Sequence, residues 1–86
     1  MYIRRKTFKR KGGWTVDYYY ACETYREGGK VKQRTVVYIG REPDIDLAIA
    51  RESARLERLK HGRAFAKYIP GSEHRLALLR DVKDKL

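Results

Sequence analysis

The sequence predicts an α+β chain in which a three-stranded antiparallel meander precedes two helices, in the order βββαα. Three observations carry this. Two Gly-Gly pairs, Gly12-Gly13 and Gly28-Gly29, separate three runs rich in Tyr, Val, Thr and Ile, the residue types that suit a pleated surface. Glycine pairs between such runs supply the positive φ angles that tight hairpin turns require. From Asp44 onward the apolar residues recur at helical spacing.

The elements follow in order. YIRRKTFKRK is the first strand segment, WTVDYYYACETY the second and VKQRTVVYIG the third. Gly40 ends the third, and Pro43 suits the first turn of a helix. DIDLAIARESARLERLKHG then reads as an amphipathic helix over 44–61, with Ile45, Ala48, Ile49, Leu56 and Leu59 on one side. Asp44 is the N-cap candidate, Asp46 complements the positive helix end, and Gly62 is a natural stop. RAFAKYIPG reads as a connector whose Phe65, Tyr68 and Ile69 cover the edge of the core. Ser72 is placed to cap a last helix over 72–86, with Leu76, Leu79, Val82 and Leu86 on one stripe. About fifteen residues make a marginal helix alone, so this stripe is expected to pack, either on its own chain or on a second copy. No repeat or low-complexity linker interrupts the 86 residues, which are expected to form a single domain of a basic meander (1–41) and the two helices. One helix across one sheet face makes a core and leaves the other face open.

The formal net charge is +10, and it is uneven. Residues 1–41 hold eleven Lys/Arg against three acids, whereas residues 42–86 hold ten against eight. An excess confined to one half is how a polyanion-binding face reads in a sequence. Cys22 is alone, so neither a disulfide nor a cysteine metal site can form within the chain, and a reducing compartment is expected. No apolar run approaches the roughly 20 residues of a membrane span, and the N-terminal segment lacks the apolar centre of a signal peptide. A cytoplasmic, nucleoid-associated protein is therefore expected. The absence of Asn, a single Gln and the many charges point to a thermophilic source.

Alternation assigns the side chains to faces. With Gly28-Gly29 at the centre of a two-residue turn, Glu27 opposes Lys30, Tyr25 opposes Lys32 and Glu23 opposes Arg34. Continued without interruption, Ala21 opposes Val36, Tyr20 opposes Val37, Tyr19 opposes Tyr38 and Tyr18 opposes Ile39. This ladder puts Tyr18, Tyr20, Cys22, Val37 and Ile39 on the helix side. Tyr19, Ala21, Glu23, Tyr25, Lys32, Arg34, Val36 and Tyr38 fall on the open side, where Lys32 has no acid directly opposite. The first strand has two registers: a two-residue turn at Gly12-Gly13 sends Tyr2, Arg4, Lys6 and Phe8 to the open side, and a three-residue turn sends Ile3, Arg5, Thr7 and Lys9 there.

A face of tyrosines among Lys and Arg can hold phosphates and offer rings and hydroxyls to bases or sugars. A two- or three-stranded ribbon is also narrow enough for the major groove of duplex DNA. The expected contact residues are Arg5, Lys9, Arg10, Lys11, Tyr19, Tyr25, Lys30, Lys32, Arg34 and Tyr38. Arg34, Lys32 and a basic side chain of the first strand would read bases, and Lys30, Arg10 and Lys11 would hold phosphates at the turns. Arg51 and Arg58 have no acid three or four residues away and either contact phosphates or face solvent. Duplex DNA is the expected partner and RNA the runner-up, with the tyrosines as stacking platforms. An interaction module using the Leu stripe is the alternative from another class.

The run Tyr25-Arg26-Glu27-Gly28-Gly29-Lys30-Val31-Lys32-Gln33-Arg34-Thr35, followed by Tyr38-Ile39-Gly40, resembles the N-terminal segment of DDE-type insertion-sequence transposases. A pattern such as SYR-x-GGKVRQR-(T)-hydrophobic-x-YLG is common there, and Met1-Tyr2-Ile3-Arg4 resembles the start of those proteins. The resemblance spans about residues 1–41 and implies a DNA-binding module that recognises transposon ends. The three strands and helix are similar, in architecture alone, to the arm-type domains of tyrosine integrases and to plant AP2 domains, which read DNA with a sheet. The transposases continue into a catalytic domain with three metal-binding carboxylates. No residue here matches that triad, so a stand-alone descendant, a mobile-element or phage regulator, or a partner of a separate recombinase is expected.

No catalytic constellation is legible. His61 and His74 lack a Cys or His at metal-ligand spacing. Ser72 reads as a cap, Cys22 as a small buried hydrophobe, and neither Gly-Gly pair belongs to a phosphate-binding strand–loop–helix motif. The expectation is a binding protein without catalytic, metal or cofactor residues.

Overall fold

The computed structural model describes all 86 residues and contains β1 (Tyr2–Lys9), β2 (Thr15–Glu27), β3 (Lys30–Gly40), α1 (Ile45–His61), a 3-10 helix (Arg63–Tyr68) and α2 (Ile69–Lys85). Three antiparallel strands in the order β1-β2-β3 followed by two helices realise the α+β, βββαα architecture. The chain forms two compact units, the sheet up to Asp44 and the helices from Ile45 to Lys85.

Both hairpin turns use their glycines as the sequence requires. Gly28 and Gly29, with φ of 58° and 79°, are the two central residues of a turn that joins Glu27 to Lys30, and such angles carry little steric cost only in glycine. At the first hairpin Lys9 opposes Thr15. The Arg10 N–H donates to the Trp14 carbonyl at 2.8 Å, which leaves Lys11-Gly12-Gly13 as a three-residue loop. The three-residue register is thus the one adopted, and Arg5 opposes Tyr19 while Ile3 opposes Ala21.

The β2–β3 ladder departs from uninterrupted alternation. From Glu27↔Lys30 to Cys22↔Thr35 the pairing is as the sequence predicts, but irregularities follow between Ala21 and Cys22 and between Tyr19 and Tyr20. The partners become Ala21↔Val37, Tyr20↔Tyr38 and Tyr19↔Gly40. Each irregularity inserts one extra residue in β3, as a β-bulge does, and one extra residue reverses the side of everything beyond it. Val37 therefore shares a side with Ala21 rather than Tyr20, and Tyr38 joins Tyr20 rather than Tyr19. The expected division into a buried Tyr18/Tyr20/Val37 face and an open Ala21/Tyr38 face is corrected accordingly. Ala21 is completely buried and Val37 nearly so, whereas Tyr18, Tyr20 and Tyr38 are half-buried.

In the helical unit, α1 buries Ala48, Glu52 and Leu56, one every four residues. α2 buries Ser72, Leu76, Leu79 and Val82, so the leucine stripe is spent inside the chain, with only Leu86 exposed. Two expectations are revised here. α2 begins at Ile69 because Pro70 falls in the first turn, where a missing N–H costs nothing. Ser72 is consequently an interior helix residue rather than a cap. Its buried hydroxyl donates to Glu52 Oε1 at 2.7 Å, and Arg75 Nε donates to the other carboxylate oxygen at 3.3 Å. A carboxylate at 7 % exposure is tolerated because it is hydrogen-bonded and paired. The second revision concerns Phe65 and Tyr68, which are exposed rather than core-covering. In a 3-10 turn residues three apart eclipse, so both rings lie on one side, with centroids 6.5 Å apart. Asp46 accepts a hydrogen bond from Lys83 at 2.6 Å and holds that ammonium above its ordinary pKa.

Candidate nucleic-acid interface

β1 pairs with β2 only as far as Tyr2↔Cys22, so β2 and β3 continue beyond it as a two-stranded ribbon. The ribbon comprises the pairs Glu23↔Arg34, Thr24↔Gln33, Tyr25↔Lys32, Arg26↔Val31 and Glu27↔Lys30, roughly 14 Å at about 3.4 Å per residue, closed by the Gly28-Gly29 turn. Both of its sides meet solvent. One side carries Glu23, Tyr25, Glu27, Lys30, Lys32 and Arg34, and the other carries the exposed Thr24, Arg26, Val31 and Gln33. Strands with solvent on two sides have nothing apolar to bury, which is why polar residues occupy both phases of the alternation here.

The cations on the first side are partnered. Arg34 Nε donates to Glu23 Oε1, and its guanidinium carbon lies 5.3 Å from the centroid of the Tyr25 ring. Lys32 Nζ reaches Glu27 Oε2 at 3.3 Å. The acid on Lys32 is the diagonal neighbour rather than the residue directly opposite, a reach that a long side chain spans easily. Arg34 and Lys32 remain well exposed, and exposed pairs of this kind contribute about 0–1 kcal/mol. They are held in place yet can exchange partners.

Of the expected contact residues, Arg5 and Lys9 in β1 have the same strand phase as Tyr19, Tyr25, Lys32 and Arg34, and Lys30 stands at the ribbon tip. Lys11 projects at the opposite hairpin loop. Two fall elsewhere. Arg10 donates through a guanidinium nitrogen to the Tyr18 hydroxyl at 2.6 Å, and Tyr38 lies with Tyr18 and Tyr20, at centroid distances of 6.0 and 5.2 Å. These belong to a second cluster on the other side of the sheet. It also contains Phe8, whose ring meets Tyr18 edge-on at 5.5 Å, and Lys6, whose ammonium stands 4.6 Å over the Tyr20 ring. Sequence reasoning placed Tyr18 and Tyr20 in the core and left Arg26 and Gln33 without a role. The first pair keeps the phase that alternation predicts, but its side is only half-buried there, and the bulges bring Tyr38 to it. The second was legible as polar residues in both phases between Glu23 and Arg34.

Arg51 and Arg58 are exposed and make no ion pair. No three of the His, Cys, Asp and Glu side chains gather closely enough to hold a metal ion, and no helix is long and apolar enough to cross a membrane.

Residues 3–67 match the model of the IS1634 family transposase, N-terminal domain. No curated protein and no solved structure matches the chain.

Proposed function

From the premise that the chain belongs to the N-terminal domain of IS1634 family transposases, we propose that it is a non-catalytic module that binds duplex DNA through the β2–β3 ribbon. Its family makes it a mobile-element protein, for which the DNA to be recognised is the transposon end. The observation that supports this reading is the ribbon itself: two strands wide, polar on both sides, and free of the third strand. The major groove is about 12 Å wide and accepts such a ribbon. Arg34, Lys32, Arg26 and Gln33 are the side-chain types that read base edges there, Arg and Lys at guanine and Gln at adenine. Lys30 at the tip and Arg5, Lys9 and Lys11 along β1 and its loop hold phosphates, which position the module without selecting sequence.

Selection of bound duplexes from a random pool tests this. A recovered consensus is expected, and on it Lys32→Ala and Arg34→Ala each cost about 1–3 kcal/mol if they contact bases. Lys30→Ala weakens binding to all sequences alike and lowers the salt slope by about 0.9, while His74→Ala changes nothing. Unchanged affinity in both the Lys32 and Arg34 variants refutes the ribbon as the reader.

A further inference from the structure

The second cluster forms a hollow that the duplex-reading ribbon does not use. It has a volume of about 340 Å³ and is lined by Phe8, Lys9, Arg10, Tyr18 and Tyr20, at the small end of the roughly 300–1,000 Å³ typical of ligand pockets. Its floor is aromatic, with Phe8 46 % exposed and the tyrosine rings half-exposed. Its rim is cationic, because Arg10 is anchored by the Tyr18 hydroxyl rather than by an acid, and Lys6, in the same strand phase as Phe8, has no acidic partner; Lys9 borders the hollow from the alternate phase. Lys6 extends the positive charge across the adjoining Tyr20 ring. Asp17, the nearest acid in the strand, accepts from Thr7 at 2.7 Å in the opposite phase of the alternation.

Ring faces beside an unneutralised guanidinium and ammonium suit a ligand that is planar at one end and anionic at the other. A nucleotide has that form: the base stacks on an aromatic ring and the phosphate takes the cation. A base inside a duplex cannot present its face, so the occupant has to be unpaired. We infer that this hollow binds an unpaired nucleotide of a DNA strand, so that the domain recognises a single-stranded extension adjoining the duplex it holds. The inference rests on nucleic-acid binding but not on the ribbon as its reader. The site lies near the Gly12-Gly13 hairpin, which is at the opposite end of β2 from the ribbon tip. Tyr18 in the hollow and Glu27 at the ribbon tip are nine residues apart along β2, roughly 30 Å at about 3.4 Å per residue. That separation lets a duplex and its frayed end be held together.

The test measures fluorescence anisotropy of the full chain with three labelled probes: a blunt duplex, the same duplex with a five-nucleotide single-stranded extension, and the extension strand alone. The extended duplex is expected to bind more tightly than the blunt one. Phe8→Ala should remove that increment, a loss of about five- to a hundredfold for one stacked base, while leaving the blunt duplex within about twofold. Phe8→Trp should restore it, which separates lost stacking from lost folding. Arg10→Gln should weaken the extended duplex and the free strand. Equal affinity of blunt and extended duplexes for the unaltered chain, with no binding of the free strand, overturns the inference. So does a Phe8→Ala loss shared equally by all three probes. If the strand binds in a Phe8-dependent way and the blunt duplex does not, the hollow stands and the ribbon reading falls. A free deoxynucleotide that binds as tightly as the strand makes this a small-molecule pocket and overturns the assignment to DNA.

Discussion

The two glutamates on the ribbon give the most informative perturbation, because they oppose the binding they accompany. Arg34 and Lys32 are held by Glu23 and Glu27, so docking on DNA must first exchange carboxylates for phosphate or base edges. Glu23→Gln with Glu27→Gln removes both restraints and nearly preserves side-chain shape. The Arg34 and Lys32 side chains are 65 % and 48 % exposed, which places each pair low in the screened range, at roughly 0.5 kcal/mol. Together they amount to roughly 1 kcal/mol, or about a fivefold gain in affinity for random-sequence duplex. Discrimination between the selected site and random DNA should shrink, since the carboxylates also repel phosphates approached in the wrong register. Two added positive units favour any polyanion, so Glu42→Gln with Glu73→Gln, exposed positions that release no ion-paired cation, is the matched control. Anisotropy titrations of both variants over a range of salt make the comparison. An equal gain in the two double variants means that only net charge matters. A loss in the ribbon variant means that the glutamates aim the cations rather than restrain them. Either result refutes the exchange argument.

Two further predictions concern stability. Glu52→Ala leaves the Ser72 hydroxyl buried without an acceptor, and Arg75, whose side chain is 29 % exposed, without its acid. With the Arg75 pair discounted for solvent, a cost of about 2 kcal/mol is expected from urea denaturation followed by helix ellipticity, and an unchanged midpoint refutes the buried lock. The Tyr2 hydroxyl is buried without a partner, so Tyr2→Phe should raise stability by about 1 kcal/mol, whereas a fall would reveal an unrecognised acceptor.

Much of the architecture was legible in local chemistry. The glycine pairs, the β-forming runs and the helical spacing after Asp44 specify elements through nearest neighbours, and all five principal elements form. The basic excess in residues 1–41 lies in the composition itself. Element ends were less legible. Pro70-Gly71 reads as a break, yet a proline in a first helical turn breaks nothing, and the shift of the α2 start changed Ser72 from cap to interior partner. Glu52 lies between Ala48 and Leu56 on the apolar stripe, but a charged residue on a stripe reads as an interruption until its partners twenty and twenty-three residues away are known.

The order of the elements, the two hairpins and the cationic character of the first half are encoded locally, in composition and in contacts a few residues apart. Which side of the sheet each residue of β3 occupies depends instead on strand pairing over a longer range. Thr35-Val36-Val37-Tyr38-Ile39 satisfies apolar alternation in either phase, so nothing local reveals the extra residue of a bulge. One inserted residue carried Val37 to the side of the buried Ala21 and Tyr38 to the side of Tyr18 and Tyr20. The bulge thereby took Tyr38 from the expected open surface and added it to the aromatic cluster of the other side.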